Sequence, residues 1–248
     1  EFAGFFHDYG SEVHLVFRAD EPLRGFDEDV RQHLGQLLRQ RGIHVHSEEN
    51  PVSIEMHRGQ LRLRTDKDTI LTADNVLFAT GRRPNSEDLG LEEVGVKLDS
   101  SGKILVDDYS KTSVDSIYAI GDVTDRINLT PVALMEAVAL SKTLFGGEAT
   151  KPDYSGVPSA VFSQPPVASV GLTETEAAER HGSVDVYLTK FKPLKHTMPT
   201  GRGEQEKVLM KMLVISEGHA GAGRVVGLHM VGADAAEMMQ GLAVAVKA

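Results

Sequence analysis

The chain has no cysteine, which excludes a disulfide, a thiolate nucleophile and a sulfur-ligated metal within these residues. Any thiol chemistry it takes part in must come from outside them. It also lacks a run of roughly eighteen apolar residues, the length a membrane span needs, and nothing in it resembles a signal peptide. It reads as soluble. Basic side chains are in deficit, 26 Lys and Arg against 36 acids for a net charge of −10. That balance argues against nucleic acid or an anionic membrane as the generic partner and favours small-molecule ligands. There is no internal repeat, no low-complexity tract and no initiating Met. The opening "EFAGFFHDYG" starts inside a helical pattern, with Phe2, Phe5, Phe6 and Tyr9 on one face and Gly10 as its stop. The chain reads as a fragment.

What is present has the rhythm of an α/β protein, and 248 residues predict two or three domains. "EVHLVFRA" alternates and is rich in β-formers, so it predicts a strand. "DEDVRQHLGQLLRQRG" predicts a helix capped by Asp27, with Glu28 and Asp29 at its positive end, a buried stripe of Val30, Leu34, Leu37 and Leu38, and Gly42 closing it. "IHVHS" is the next strand. Helix, strand, helix and strand at this spacing form the remainder of a βαβ nucleotide-binding unit whose Gly-rich turn would precede residue 1. "SIEMHRGQLRLRT" predicts a hairpin turning near Arg58 to Gln60, and "NVLFAT" a buried strand ending in the turn "GRRPN". Residues 1–84 are thus expected to be one domain. Residues 85–154 hold a strand, "SIYAIGDV", and a helix, "PVALMEAVALSKTLF", with Pro131 in its first turn and Gly146 at its stop. Residues 155–248 change character, with strands "SAVFS", "VDVYLTKF", "KVLMKMLVI" and "RVVGLHMVG", a helix "TETEAAERHG" and a last helix from about Ala235. The expected fold class is α/β: the remainder of two doubly wound nucleotide-binding domains, plus an α+β interface or dimerisation domain.

Two features carry chemistry. In a βαβ nucleotide fold the end of the second strand meets the adenosine ribose, where an acid suits the 2′-hydroxyl of NAD and Arg the 2′-phosphate of NADP. Here that strand ends in Arg18, and Arg24 follows in the loop. Two guanidiniums can clamp one phosphate, although on the residues alone they are as readily solvated loop side chains. The second feature is Asp122, delivered behind Gly121 where ligands gather at strand carboxyl ends. It can accept hydrogen bonds from a polyol, or simply cap its own turn.

The neighbourhood decides between those readings. "ATGRRPN", "YAIGDV", "LTPVALMEA" and "PSAVFSQPPVASVGLTETEA", in that order, resemble the flavin-dependent pyridine nucleotide disulfide reductases. Within that family, "LRGFDED", "VTDRINLTPVALMEA", "VFSQPPVASVGLTE" and "FKPLKHTM" are most similar to the glutathione reductases of bacteria and plants, over essentially the whole chain. The resemblance implies an FAD domain interrupted by an NADP domain and followed by an interface domain that makes a homodimer. It implies that Arg18 and Arg24 hold the NADP 2′-phosphate, and that Gly81, beside Arg82 in "ATGRR", lets the nucleotide approach the backbone. Asn128 and Val161 would line the nicotinamide side, near Glu1. Asp122 would bind the ribityl chain of FAD, and Thr130 would present its backbone to the flavin ring at a helix N-terminus. The expected cofactors are FAD and NADP, the expected substrate glutathione disulfide, and the expected compartment the cytoplasm, with an organelle left open. The redox cysteine pair, the FAD phosphate loop and the acid/base His of the family are not among these residues, so this polypeptide alone is expected to be inactive. Where many glutathione reductases carry an Arg on the helix after "TPVA", this chain has Val138. Trypanothione-like disulfides therefore stay open, as do a dihydrolipoamide dehydrogenase that would prefer NAD and a non-catalytic nucleotide-binding or dimerising module.

Other patterns invite weaker readings. "GAGRVVG" looks like a dinucleotide fingerprint but precedes a strand, so it predicts a hairpin turn. His44 and His46 share one strand face, yet no carboxylate is obviously paired with them, so no metal site is expected. His196 and His229 read as structural, and Met238 and Met239 as core or subunit contacts.

Overall fold

A computed structural model describes residues 1–194, 197 and 206–248; His196 lies outside these. The chain divides into two compact units, residues 1–76 with 155–248, and residues 77–154.

The first unit opens with α1 (Phe2–Asp8), whose Phe2, Phe5, Phe6 and Tyr9 are exposed and contact one another. Strand β1 (His14–Phe17) pairs in parallel with β2 (His44–Ser47), and α2 (Glu28–Gln40) connects them. Asp27 caps α2 by accepting from Asp29 N at 3.1 Å, and Gly42, at φ 97°, turns the chain out of it. Strands β3 (Pro51–His57), β4 (Gln60–Thr65) and β5 (Ile70–Ala73) make an antiparallel meander.

The rest of this unit is a five-stranded antiparallel sheet in the order β6-β7-β10-β9-β8. Its strands are β6 (Ser159–Val161), β7 (Val167–Gly171), β8 (Val184–Phe191), β9 (Val208–Ile215) and β10 (Val225–Val231). Helices α4 (Glu174–His181) and α5 (Ala235–Lys247) pack on it. Alternation along the strands buries both faces. Val167, Leu209 and Val231 meet Val30, Leu34, Leu37 and Leu38 of α2, while Ala168, Val208 and Met230 meet Ala235, Met239 and Ala243 of α5. Met239 is core and Met238 is 42% exposed. "GAGRVVG" runs from the turn after β9 into β10, which pairs antiparallel with β9.

The second unit is built around α3 (Thr130–Phe145), a 3₁₀ turn over Gly121–Thr124, and a small core of Val96, Ile104 and Ala119. Two expected strands do not form. "NVLFAT" has no strand partner among the described residues, and Leu77 and Phe78 are 61% and 62% exposed. "SIYAIGDV" makes a single bridge, Lys111 with Tyr118, and then turns into the 3₁₀ segment. A strand needs a neighbour to take its ladder hydrogen bonds, and apolar β-forming composition does not supply one. Conversely, β7 was not anticipated, because "VASVG" is small-residue-rich and follows two prolines.

Candidate functional site

The acids near the end of β1 are spoken for. Asp20 receives Arg31 Nη2 at 2.7 Å, and Glu21 receives Arg39 Nη1 at 3.1 Å. Hydrogen bonding from Arg31 also holds the Asp20 carboxyl below its ordinary pKa. Arg18 and Arg24 are exposed and enter no salt bridge among the described residues. The free charge at this strand end is therefore cationic, the reverse of what an NAD-type ribose acid would give. On the same unit Glu1 Oε1 accepts from Phe162 N at 2.8 Å, which brings Glu1 to the chain position next to Val161, the last residue of β6.

The remaining predicted residues lie in the second unit. Gly81 has φ 118°, and a Cβ there would meet nothing within 4 Å, so backbone and space are both open beside the exposed Arg82. Asp122 is exposed within the 3₁₀ turn, and its carbonyl accepts from Asp125 N at 3.1 Å. Asn128 Nδ2 donates to Asp125 Oδ1 at 2.7 Å, so Asp122, Asp125 and Asn128 are linked in one turn leading to Thr130. The first turn of α3 receives no side-chain cap, and Pro131 occupies its start. Pro131 has no N–H, and the Val132 and Ala133 amides donate to Leu129 O at 3.0 and 3.1 Å, so this turn offers the Thr130 amide and its positive dipole end to an electron-rich group. An open helix N-terminus beside a free carboxylate fits a flavin carrying a polyol tail.

Sequence reasoning missed what holds this turn. Glu136 is 1% exposed on the buried Val132, Glu136 and Ala139 stripe of α3. Its carboxylate accepts from Gly121 N at 2.5 Å and from Tyr154 Oη at 2.7 Å, and pairs with Arg126 Nη2 at 3.1 Å. Arg126 also lies 5.1 Å over the Tyr154 ring. Burial, and then the hydrogen bond to Glu136, push the Tyr154 phenol well above its usual pKa. The signal was a single acid on the apolar stripe of "PVALMEAVAL".

Elsewhere, a cavity of about 640 Å³ is lined by Asp27, Asp29, Glu174 and Lys211 among others, and none of the predicted site residues borders it. His229, 2% exposed, lies 3.0 Å from both Ser169 Oγ and Leu172 O, a structural placement. The reading of the His44 face changes. Glu12 Oε1 lies 3.5 Å from His44 Nε2 and 3.6 Å from His14 Nε2, so a carboxylate is paired there after all, brought in by the loop before β1.

Comparison with known proteins identifies the family. The pyridine nucleotide-disulphide oxidoreductase family profile matches residues 1–137, and the family's dimerisation domain matches residues 157–248. The chloroplastic/mitochondrial glutathione reductase of Pisum sativum is 53% identical over 249 residues, covering 100% of this chain and 44% of that protein. The trypanothione reductase of Trypanosoma congolense is 41% identical over 251 residues, covering 100% of this chain and 50% of that one. Among solved structures, the HOCl-induced flavoprotein disulfide reductase RclA from Escherichia coli matches with a TM-score of 0.87 at 27% identity, over 99% of this chain and 55% of its own. The chain spans about half the length of the curated relatives it matches. No helix of the described residues is long and apolar enough to cross a membrane.

Proposed function

Because the chain belongs to the pyridine nucleotide-disulphide oxidoreductase family, we propose that it forms part of a homodimeric flavoprotein that uses NADPH to reduce a low-molecular-weight disulfide, glutathione disulfide first. The observation that carries the cofactor choice is the free pair Arg18 and Arg24, beside acids already bound to Arg31 and Arg39. In this reading the two guanidiniums grip the 2′-phosphate of NADP. Glu1, Val161 and Asn128 serve the nicotinamide side, and Gly81 with Arg82 lets the nucleotide approach the backbone. Asp122 accepts hydrogen bonds from the FAD ribityl hydroxyls, and the α3 N-terminus at Thr130 meets the ring. When bound, FAD supplies the two-electron relay between NADPH and a disulfide. The reacting cysteines come from outside these residues, since the chain has none, and these residues alone are expected to be inactive.

The test is the Arg18→Glu, Arg24→Ala pair in the holoenzyme, read by calorimetric binding of 2′,5′-ADP. Two charge-assisted hydrogen bonds of about 1.5 kcal/mol or more each predict at least a ~100-fold loss of affinity. Unchanged affinity overturns the assignment. One observation favours a second disulfide: Val138 on α3 is 58% exposed and apolar, where an Arg would meet a glutathione carboxylate. A higher kcat/KM for trypanothione disulfide than for glutathione disulfide would select that reading.

A further inference from the structure

The parallel register of β1 and β2 places His14 directly beside His44, and Val16 beside His46. Paired residues of parallel strands project from the same face, so three imidazoles share one side of this two-stranded sheet. Leu15 and Val45, on the other side, pack into the α2 core. The imidazoles are ordered among themselves. His14 stacks on His44 with ring centroids 4.6 Å apart, and His14 Nδ1 lies 3.0 Å from His46 Nε2. Glu12 joins from the preceding loop, its Oε1 at 3.6 Å from His14 Nε2 and 3.5 Å from His44 Nε2. One donor atom from each of Glu12, His14 and His44 lies within 4.8 Å of the other two.

We propose that Glu12 Oε1, His14 Nε2 and His44 Nε2 form a site for a divalent transition-metal ion of the zinc type, with His46 positioning His14. Metal–ligand bonds of about 2.0–2.2 Å at tetrahedral angles put neighbouring donors roughly 3.3–3.6 Å apart. The two carboxylate–imidazole separations already meet that spacing. His44 is 53% exposed in its side chain and Glu12 75%, so closing on an ion requires only rotation of free side chains about soft terminal torsions. The donor set of two imidazoles and a carboxylate leaves a coordination position for water.

The surroundings prepare His14 as a ligand. Thr65 Oγ1 donates to Glu49 Oε2 at 2.7 Å, which anchors the Glu49 carboxylate with its Oε1 4.0 Å from His46 Nδ1. That charge favours the Nδ1 proton on His46 and leaves Nε2 as acceptor. In the tautomer that coordinates, His14 donates from Nδ1 to His46 Nε2 and offers the Nε2 lone pair to the ion. A ligand imidazole held through its second nitrogen is the usual arrangement of a metal-bound His.

The test is titration of the chain with zinc alone, followed by calorimetry, and with cobalt as a spectroscopic probe. One equivalent is expected to bind, with cobalt giving the ligand-field bands of a four-coordinate centre. Glu12→Gln and His44→Ala, both at exposed side chains, are expected to abolish that equivalent. His46→Gln should keep the stoichiometry and weaken affinity by about 10–100-fold. His57→Ala, on β3, should change nothing. Absence of zinc binding, or binding that survives both Glu12→Gln and His44→Ala, overturns the site. A His46→Gln effect as large as that of His44→Ala overturns the positioning role. Far-ultraviolet circular dichroism of each variant verifies that the fold is retained, and Glu12→Gln carries the test should His44→Ala unfold.

Discussion

The Asp27 carboxylate and the Lys211 ammonium, each 1% exposed, meet at 2.8 Å between α2 and β9. Asp27 also caps two helices at once, accepting from Asp29 N of α2 at 3.1 Å and from Glu174 N of α4 at 3.0 Å. Lys211 completes its valence with Asp29 and Glu174, each at 2.6 Å. A buried cation thus ties two helix N-termini to the five-stranded sheet.

Removing one partner leaves the other charge buried and unpaired, which costs about 3–5 kcal/mol. Lys211→Met is therefore expected to lower stability by that amount in urea denaturation. Asp27→Asn combined with Lys211→Met should recover part of it, because no lone charge is left inside. A double variant no more stable than Lys211→Met would show that the loss does not come from a lone buried Asp27 charge. Burial alone would raise the Asp27 carboxyl, but hydrogen bonds from Lys211 and Glu174 N outweigh it and hold it below 3.8. Its contribution is thus present above pH 3.8 and lost as pH falls through the lower folded value. For Lys211 burial works against the charge, yet its three carboxylates prevail and raise it above 10.5. That contribution is complete below pH 10.5 and lost only at more alkaline pH.

Histidines set a second acid limit nearer neutrality. Burial lowers His33 and His229 below the ordinary 6.5. As pH falls through 6.5 the unfolded chain takes up protons that the native imidazoles refuse, so stability is present above 6.5 and drains away below it. Denaturation midpoints are expected to fall between about pH 7.5 and 5.5. His229→Gln, which keeps a donor for the Leu172 carbonyl, should flatten that slope. A midpoint independent of pH in this range would contradict the buried, neutral assignment.

Gly171 and Gly227 face each other across β7 and β10. A Cβ on Gly171 would run into the Val226 carbonyl, at a φ of 83° that side chains rarely adopt, and one on Gly227 would strike the Leu172 carbonyl. Either Ala substitution must push two strands apart, so each is expected to cost more than ~1 kcal/mol. Gly218→Ala is the matched comparison, also at positive φ (85°) but with open space around it. If it costs as much in the same denaturation assay, backbone conformation rather than close approach is responsible.

These predictions also mark where the sequence was readable. Helix α2 could be placed to its cap, because Asp27, the acidic first turn and the Val30, Leu34, Leu37 and Leu38 stripe are local signals that agree. Strands β8, β9 and β10 were equally plain, since their alternation and composition coincide. Pairing was not readable, because it depends on which neighbour is available: "NVLFAT" and "SIYAIGDV" have strand composition without a ladder. Partners distant in sequence were hidden for a related reason. Lys211 falls on an inward position of "KVLMKMLVI", and Glu136 on the buried stripe of α3, but nothing local names Asp27, Arg126 or Tyr154 as their counter-groups. Arg18 and Arg24 were visible from the start, whereas the capture of Asp20 and Glu21 that leaves them free needed the structure.

Glu136 is the last of these hidden residues and the one closest to the proposed flavin side. Its carboxylate holds the Gly121 amide, the Tyr154 hydroxyl and the Arg126 guanidinium together, while Arg126 Nε already lacks a partner. Glu136→Ala therefore orphans a backbone donor and strands a largely buried cation, at a cost of about 3 kcal/mol or more to the second unit. Tyr154→Phe removes one hydrogen bond and keeps the ring under Arg126, so it should cost only about 1 kcal/mol. Amide hydrogen exchange separates the two effects. The Gly121 amide should lose protection in Glu136→Ala and keep most of it in Tyr154→Phe. Since Asp122 follows Gly121 directly, a Glu136→Ala holoenzyme is also expected to release flavin more readily while its 2′,5′-ADP affinity, which the proposed function assigns to Arg18 and Arg24, stays unchanged. Full protection of the Gly121 amide in Glu136→Ala would show that the turn is held by something other than this carboxylate.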